Sequence, residues 1–282
     1  MTLQVRQLVK HFDGVQAVKG VSFAVKAGEC VALIGPNGAG KSTCFACIAG
    51  QHGLTSGEVA WNGQSINTWP PRRRLQHGIA RTFQVAQTFE ALTVLQNVQL
   101  AMAIPRGLST YLALDSVEID SARALLAQVG LAGLADADAL GLPYGAKKRL
   151  ELALALAGIL DTRLDPKGKA EAGRPAQLLL LDEPAAGLAG AERANLMALV
   201  KSLAAQGVAV LYTEHNMDAV FGVADRVLVL IDGLIAAEGT PQAIAQNPEV
   251  RRRYLGLGFN SDAADPAGPD VASQRRAEQP HA

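Results

Sequence analysis

Long apolar runs are scarce in this chain of 282 residues. The longest stretch free of Asp, Glu, Lys and Arg runs from Ser42 to Gly57 and is rich in Gly, Ser, Thr, Gln and His. It falls short of the roughly 18 apolar residues that a membrane span requires, which argues against a transmembrane helix. Cysteine is equally sparse: Cys30, Cys44 and Cys47 are too few and too clustered to staple a secreted fold. Net charge is absent as well, since 26 Lys+Arg balance 26 Asp+Glu. That balance excludes a chain gripping nucleic acid or acidic lipid mainly through bulk charge. The opening residues Met1 to Arg6 are too polar for the apolar centre of a signal peptide, so the expected compartment is cytoplasmic.

What is present is core material. Hydrophobic residues make up 49% and charged residues 18%, a balance of a globular chain and not of a disordered polyelectrolyte. The length suits one large domain or two compact lobes. Leu3 to Val25 alternates apolar and polar residues around Asp13-Gly14 and reads as a hairpin, followed by the turn Lys26-Ala27-Gly28-Glu29. Cys30 to Ile34 is a short apolar run ending at a Gly-rich turn, as a buried parallel strand would be, and Ser42 to Ala49 then reads as a helix. Gly57 to Gly63 is a strand closed by Asn-Gly. From about 88 to 160 the chain turns Ala- and Leu-rich with helical spacing, and a helical insert is expected there. Leu178 to Leu181, a helix over Ala191 to Gln206, and Val208 to Tyr212 form a strand–helix–strand unit, the sign of a parallel sheet covered on both faces. The polar stretch 161–177 reads as a solvated loop insertion. The tail 259–282 lacks apolar periodicity and reads as disordered.

The chemistry begins at Gly35-Pro36-Asn37-Gly38-Ala39-Gly40-Lys41-Ser42, which fits G-x-x-x-x-G-K-[ST] between a strand and a helix. Glycines let successive backbone N–H groups turn inward around a phosphate, and the helix N-terminus adds its positive end. Lys41 is placed to reach the β- and γ-phosphates, and the Ser42 hydroxyl to ligate Mg²⁺. Asp182 ends the Leu178–Leu181 run, the strand edge where α/β sheets bind ligands, and is a candidate to hold magnesium. Its neighbour Glu183 is the candidate general base for water. His215, after the Val208–Tyr212 strand, is a candidate to bond a γ-phosphate oxygen and fix that water. The lack of an Asn-Lys-x-Asp motif excludes a GTPase switch.

In this order the motifs resemble the ATP-binding subunit of an ABC transporter, over about Leu3 to Gly258. The resemblance implies an α/β P-loop NTPase with a RecA-like parallel-sheet core, an N-terminal antiparallel β part and the helical insert, within one ATP-binding domain spanning 1–258. It implies ATP and Mg²⁺ as cofactors. It assigns Gln84 of Arg81-Thr82-Phe83-Gln84 to Mg²⁺, water and coupling to the membrane partner. Leu142-Pro143-Tyr144-Gly145 takes the signature position facing the nucleotide of a second subunit, with Gly145 as a donor, and Ala185-Ala186-Gly187-Leu188 takes the D-loop. Phe12 stands where an aromatic stacks on adenine, and Val18 and Thr43 join the nucleotide set on the same grounds.

Arg81 to Gln84, Leu92 to Val98, the Tyr-Gly signature, Asp182 to Leu188 and the ending Gly239-Thr240-Pro241 through Tyr254-Leu255-Gly256 are similar to the branched-chain amino acid importer group, in particular its first ATPase type. That implies a heterodimer or homodimer of ATPase subunits on the cytoplasmic face of the inner membrane. Two permeases and, indirectly, a periplasmic or surface solute-binding protein complete the assembly, with no nucleic acid. The implied cargo is branched-chain or other amino acids, with urea, amides and aromatic acids as alternatives. The sequence departs from the family at Pro143, where a Ser is usual, and at Ala146 and Ala189. Proline has no N–H to give a phosphate, so one composite site is expected to be weaker, and an ATP-binding regulatory subunit stays open as an alternative. Cys44 and Cys47 form C-x-x-C but lack a second pair, and core packing is the expected role. Arg72-Arg73-Arg74 and Arg251-Arg252-Arg253 are read as solvated faces, Trp61 and Trp69 as packing residues, and His11, His52, His77 and His281 as histidines without a partner.

Overall fold

The computed structural model describes residues 2–82, 88–103, 118–159 and 176–255. Gln84, the tail 259–282 and nearly all of the stretch 161–177 lie outside the described residues. The chain opens with a hairpin, β1 (Thr2–Phe12) and β2 (Val15–Lys26), turning at Asp13-Gly14. Next come β3 (Cys30–Ile34), α1 (Lys41–Ala49), β4 (Ser56–Trp61), β5 (Gln64–Ser65), α2 (Pro71–Gln76) and β6 (Ile79–Arg81). In the expected insert, the described residues hold α3 (Val94–Ala103), α4 (Ile119–Gln128) and α5 (Tyr144–Ile159), with short 3-10 turns at Ala132–Leu134 and Ala139–Gly141. The last part is β7 (Leu178–Asp182), α6 (Gly190–Ala205), β8 (Ala209–Thr213), α7 (Met217–Phe221), β9 (Arg226–Ile231), β10 (Leu234–Gly239) and α8 (Pro241–Gln246).

Two sheets result. One is antiparallel in the order β2-β1-β4-β5; the other has the order β10-β9-β3-β8-β7-β6, parallel except for β10. The parallel strands are short, apolar and buried along their length, and their side chains divide by the two-residue period of a strand. Cys30, Ala32, Ile34, Leu179, Leu181, Val210 and Tyr212 face one core with the helical insert and α6. Val31, Leu33, Leu178, Leu180, Ala209 and Leu211 face the other, which they share with α1 and the antiparallel sheet. Helix α1 is thus enclosed between two sheets, and Cys44 and Cys47 are wholly buried in it. Burial pushes both thiols up, as expected of packing residues and not of reactive thiols.

Three details differ from the sequence reading. The Asp232-Gly233 turn joins β9 to β10, a hairpin whose D-G signal stands in the sequence. Arg74 is no solvated residue. It is 1% exposed, and its guanidinium donates to the carbonyls of Trp69 (3.0 Å), Ile66 (2.7 Å), Cys47 (3.0 Å) and Ile48. Two of those carbonyls end α1, where a cation is favoured by the helix dipole. Burial pushes the guanidinium down to about 10, which leaves it charged at neutral pH. His77 has partners too: its ring lies 4.3 Å from that of Trp69, and its Nδ1 is 2.8 Å from the Arg73 carbonyl.

Candidate active site

The segments that follow β3, β7 and β8 meet at the carboxyl edge of the parallel sheet. The Gly-rich loop leaves β3 and enters α1 through Gly40, which has φ +102°. A Cβ there would lie 2.4 Å from the Ala17 carbonyl oxygen, and one on Gly35 would lie 1.9 Å from that of Leu230. Neither position tolerates a side chain, so the glycines are set by close backbone approach as well as by conformation. Lys41 opens α1 and is buried; its Nζ donates to the carbonyls of Gly35 (2.7 Å) and Pro36 (3.0 Å), which holds the ammonium inside the curl of the loop. Burial lowers its proton affinity, while the nearby charges of Glu183 and Asp182 raise it. Ser42 is exposed and Thr43 half-buried on the first turn. Val18 is wholly buried and backs the loop beside Gly40.

Asp182 closes β7 and Thr213 closes β8, paired across the sheet. The Thr213 hydroxyl donates to Asp182 Oδ1 (2.9 Å) and accepts from the backbone N–H of Glu183 (3.0 Å). One buried hydroxyl therefore orders both acidic residues. Glu183 sits at φ +49°, a left-handed conformation uncommon for a residue with a side chain. Such strain gathers at functional sites, where the surroundings fix it. Its Oε1 lies 2.8 Å from His215 Nε2. The next residue back, Glu214, is buried and accepts from the backbone N–H of Ala185 (2.8 Å) and of His215 (3.3 Å). It ties the start of the D-loop to the histidine strand end, and burial pushes its carboxyl up from 4.5.

The fold brings Lys41, Asp182, Glu183 and His215 to one edge. Phe12 stands at the end of β1, 39% exposed, with the His52 ring edge-on at 5.2 Å and the Lys10 ammonium 4.7 Å from its centroid. His52, like His77, thus has a ring partner. Ser42 and Asp182 supply the hard oxygen donors that magnesium prefers. Among the described residues there is no group of three or more His, Cys, Asp or Glu that could hold a metal. That sparse set fits Mg²⁺, which keeps several waters and takes nucleotide oxygens as further ligands.

The model of the ABC transporter family matches residues 18–160. The branched-chain amino acid transport ATP-binding protein BraF of Pseudomonas aeruginosa is 35% identical over 90% of this chain and 97% of its own length. LivG of Escherichia coli, described likewise, is 34% identical over the same shares. The chain belongs to the ABC transporter family. A crystal structure of a nucleotide-free ATP-binding cassette from an ABC transporter superimposes with a TM-score of 0.76 at 30% identity, covering 91% of this chain and 100% of that one. The protein is thus an ABC ATPase subunit, homologous to the ATPases of branched-chain amino acid transport. No helix among the described residues is long and apolar enough to cross a membrane.

Within this cassette the signature turn leads into α5. Pro143 is exposed and accepts the first helical bond, from the N–H of Lys147 (3.0 Å). The Tyr144 hydroxyl donates to the Ala186 carbonyl (3.2 Å), joining the signature to the D-loop of the same chain. A Cβ on Gly145 would stand 2.8 Å from a Glu192 carboxylate oxygen, so a negative charge borders the signature glycine. Beside it lies a cavity of about 260 Å³, lined by Pro143, Gly145, Arg149 and Glu192 among others.

Sequence reasoning missed Thr213, Glu214 and Arg81. Arg81 ends β6 and pairs with Asp182, Nη2 to Oδ2 at 2.8 Å. A polar residue closing an apolar strand beside a known site is the one signal that pointed to Thr213. Nothing local pointed to Arg81.

Proposed function

We propose that this subunit binds Mg²⁺-ATP at the edge of β3, β7 and β8 and hydrolyses it to drive an importer of branched-chain amino acids or related small solutes. The ATP-binding domain is taken as residues 1–258, with the insert at about 88–160 facing the membrane partners. Backbone N–H groups of Gly35 to Thr43 take the phosphates, Lys41 exchanges its carbonyl bonds for phosphate oxygens, and Phe12 takes the adenine. Ser42, Asp182 and Gln84 are the residues that would hold magnesium, which neutralises phosphate charge when bound. Glu183 accepts the proton of the attacking water, and His215, 2.8 Å away, holds that carboxylate in place. Gly145 and the N-terminus of α5 face the ATP of a second subunit, in a heterodimer or homodimer beneath two permeases at the cytoplasmic face of the inner membrane.

The observation that carries this reading is the convergence of Lys41, Asp182, Glu183 and His215 on one edge, in a chain whose relatives BraF and LivG are branched-chain amino acid transport proteins. A second reading draws on Pro143 and on the Glu192 carboxylate beside Gly145: the composite site using this signature hydrolyses more slowly than the other. The test is reconstitution with the paired ATPase, the permeases and the solute-binding protein in proteoliposomes. Leucine-stimulated ATP hydrolysis and ATP-dependent leucine uptake are expected. Hydrolysis that responds to another solute alone would correct the cargo, and nucleotide binding without any hydrolysis would overturn the enzymatic reading.

A further inference from the structure

The carboxylate proposed to hold magnesium already has a cation. Arg81 Nη2 lies 2.8 Å from Asp182 Oδ2, and the two side chains are 12% and 9% exposed. The other Asp182 oxygen accepts from Thr213, so each oxygen has a fixed donor. The second Arg81 nitrogen bonds the Gln51 side chain, in the turn after α1, and the guanidinium carbon lies 6.0 Å from the Phe45 ring centroid. The strand position is fixed as well. Arg81 pairs with Leu180 across β6 and β7; the Thr82 N–H then donates to the Leu180 carbonyl (2.9 Å), and the Thr82 hydroxyl accepts from the Asp182 N–H (3.4 Å). Arginine is permanently charged and its planar fork is rigid, so this pair is a standing positive charge on one side of the carboxylate. So little exposed, it is weakly screened by water. A divalent cation needs the same negative charge and is repelled by the guanidinium.

We propose that Arg81 and Mg²⁺ are competing partners of Asp182. Arg81 sets the magnesium requirement of nucleotide binding, and arrival of Mg²⁺-ATP displaces it from Oδ2. Arg81 acts here as a positioning residue, through Asp182 and not on the substrate. The inference rests on the proposed role of Asp182 as a magnesium ligand.

The experiment is an Mg²⁺ titration of the binding of a non-hydrolysable ATP analogue to the full chain, read by calorimetry. Arg81→Gln is expected to lower the Mg²⁺ concentration at half-effect about tenfold, the scale on which a neighbouring charge alters cation affinity at a carboxylate. Arg81→Lys, which keeps the charge but loses the fork, is expected to lower it about threefold. Should Arg81→Gln fail to fold by circular dichroism, the lysine variant decides. In an Asp182→Asn background the arginine substitution is expected to have no effect, as a double-mutant cycle requires of one shared interaction. An unchanged or raised Mg²⁺ requirement in the arginine variants, with Asp182→Asn raising it, overturns the competition alone. An Mg²⁺ requirement untouched by Asp182→Asn overturns the assignment of Asp182 as ligand.

Discussion

At the carboxyl edge of the sheet, Lys41, Asp182, Glu183 and His215 are each held by at least one hydrogen bond, and Thr213 and Glu214 stand buried behind them. At the amino end of α5 the chain offers an exposed proline, an exposed tyrosine turned to its own D-loop, and a glycine beside a carboxylate. The first region is preorganised in the sense that electrostatic catalysis requires, with donors and charges fixed before charge develops. The second has a helix N-terminus and little else. In the dimer proposed above, a subunit built this way would contribute unequally to the two composite sites. Its own phosphate site is rich, and the face it lends to its neighbour is poor.

The strongest way to break this contrast is to disable the rich region. Glu183→Gln is expected to slow hydrolysis about a hundredfold or more in the assembled complex, the usual share of a general base, while nucleotide binding persists. Phosphate release and analogue affinity, measured side by side, check it. Lys41→Ala removes charge-assisted bonds to phosphate, each worth about 1.5–3 kcal/mol, so ATP affinity is expected to fall about tenfold to a hundredfold. Equilibrium dialysis against labelled ATP would show it, and unchanged affinity would remove Lys41 from the site.

Smaller effects sharpen the contrast from the poor side. Pro143→Ser restores a hydroxyl and an N–H at the start of α5, and turnover at the site facing this signature is expected to rise about threefold, in line with one recovered hydrogen bond. Single-turnover kinetics of the complex, with the other site blocked by a base mutation, isolates it. The smallest effect belongs to Glu214. Its carboxyl is raised above 4.5 chiefly by burial, with the Glu183 charge adding to it, so the folded chain binds the proton more tightly than the unfolded one. The stability this contributes is full below 4.5 and is lost as the pH rises through the folded value. Thermal melts of the native chain and of Glu214→Gln should therefore diverge above that pH, the native chain losing ground; parallel curves would remove the effect.

How far these features could be read in advance depended on where their partners lie in the chain. The Gly-rich loop and the strands before it and before Asp182 are local patterns: a two-residue period, a glycine rhythm and a strand-end acid, each legible within ten residues. Strand β6 is only Ile79–Arg81 and is defined by its pairing with β7, about a hundred residues away, so no local pattern marks it. Arg74 cannot be told from Arg72 and Arg73 by composition. Its burial follows from carbonyls 26 and 27 positions earlier, on α1. Thr213 and Glu214 owe their roles to partners on the neighbouring strand end, 29 to 31 positions back. Motifs pointed to the candidate groups, and long-range packing decided which groups hold them.

The Thr213 hydroxyl has a single hydrogen, and it points at Asp182. One of the two lone pairs on its oxygen accepts from the Glu183 amide. The proposed metal holder and the proposed water activator thus hang from one rotor, and turning that rotor about its χ1 axis lets go of both together. Valine has nearly the same outline and would fill the space, yet would leave an aspartate oxygen and an amide hydrogen with nothing to grasp. Serine would keep the grip with a looser swing. The synchrony of the two acidic residues is thus carried by a methyl group that restricts rotation and by one proton with a fixed direction.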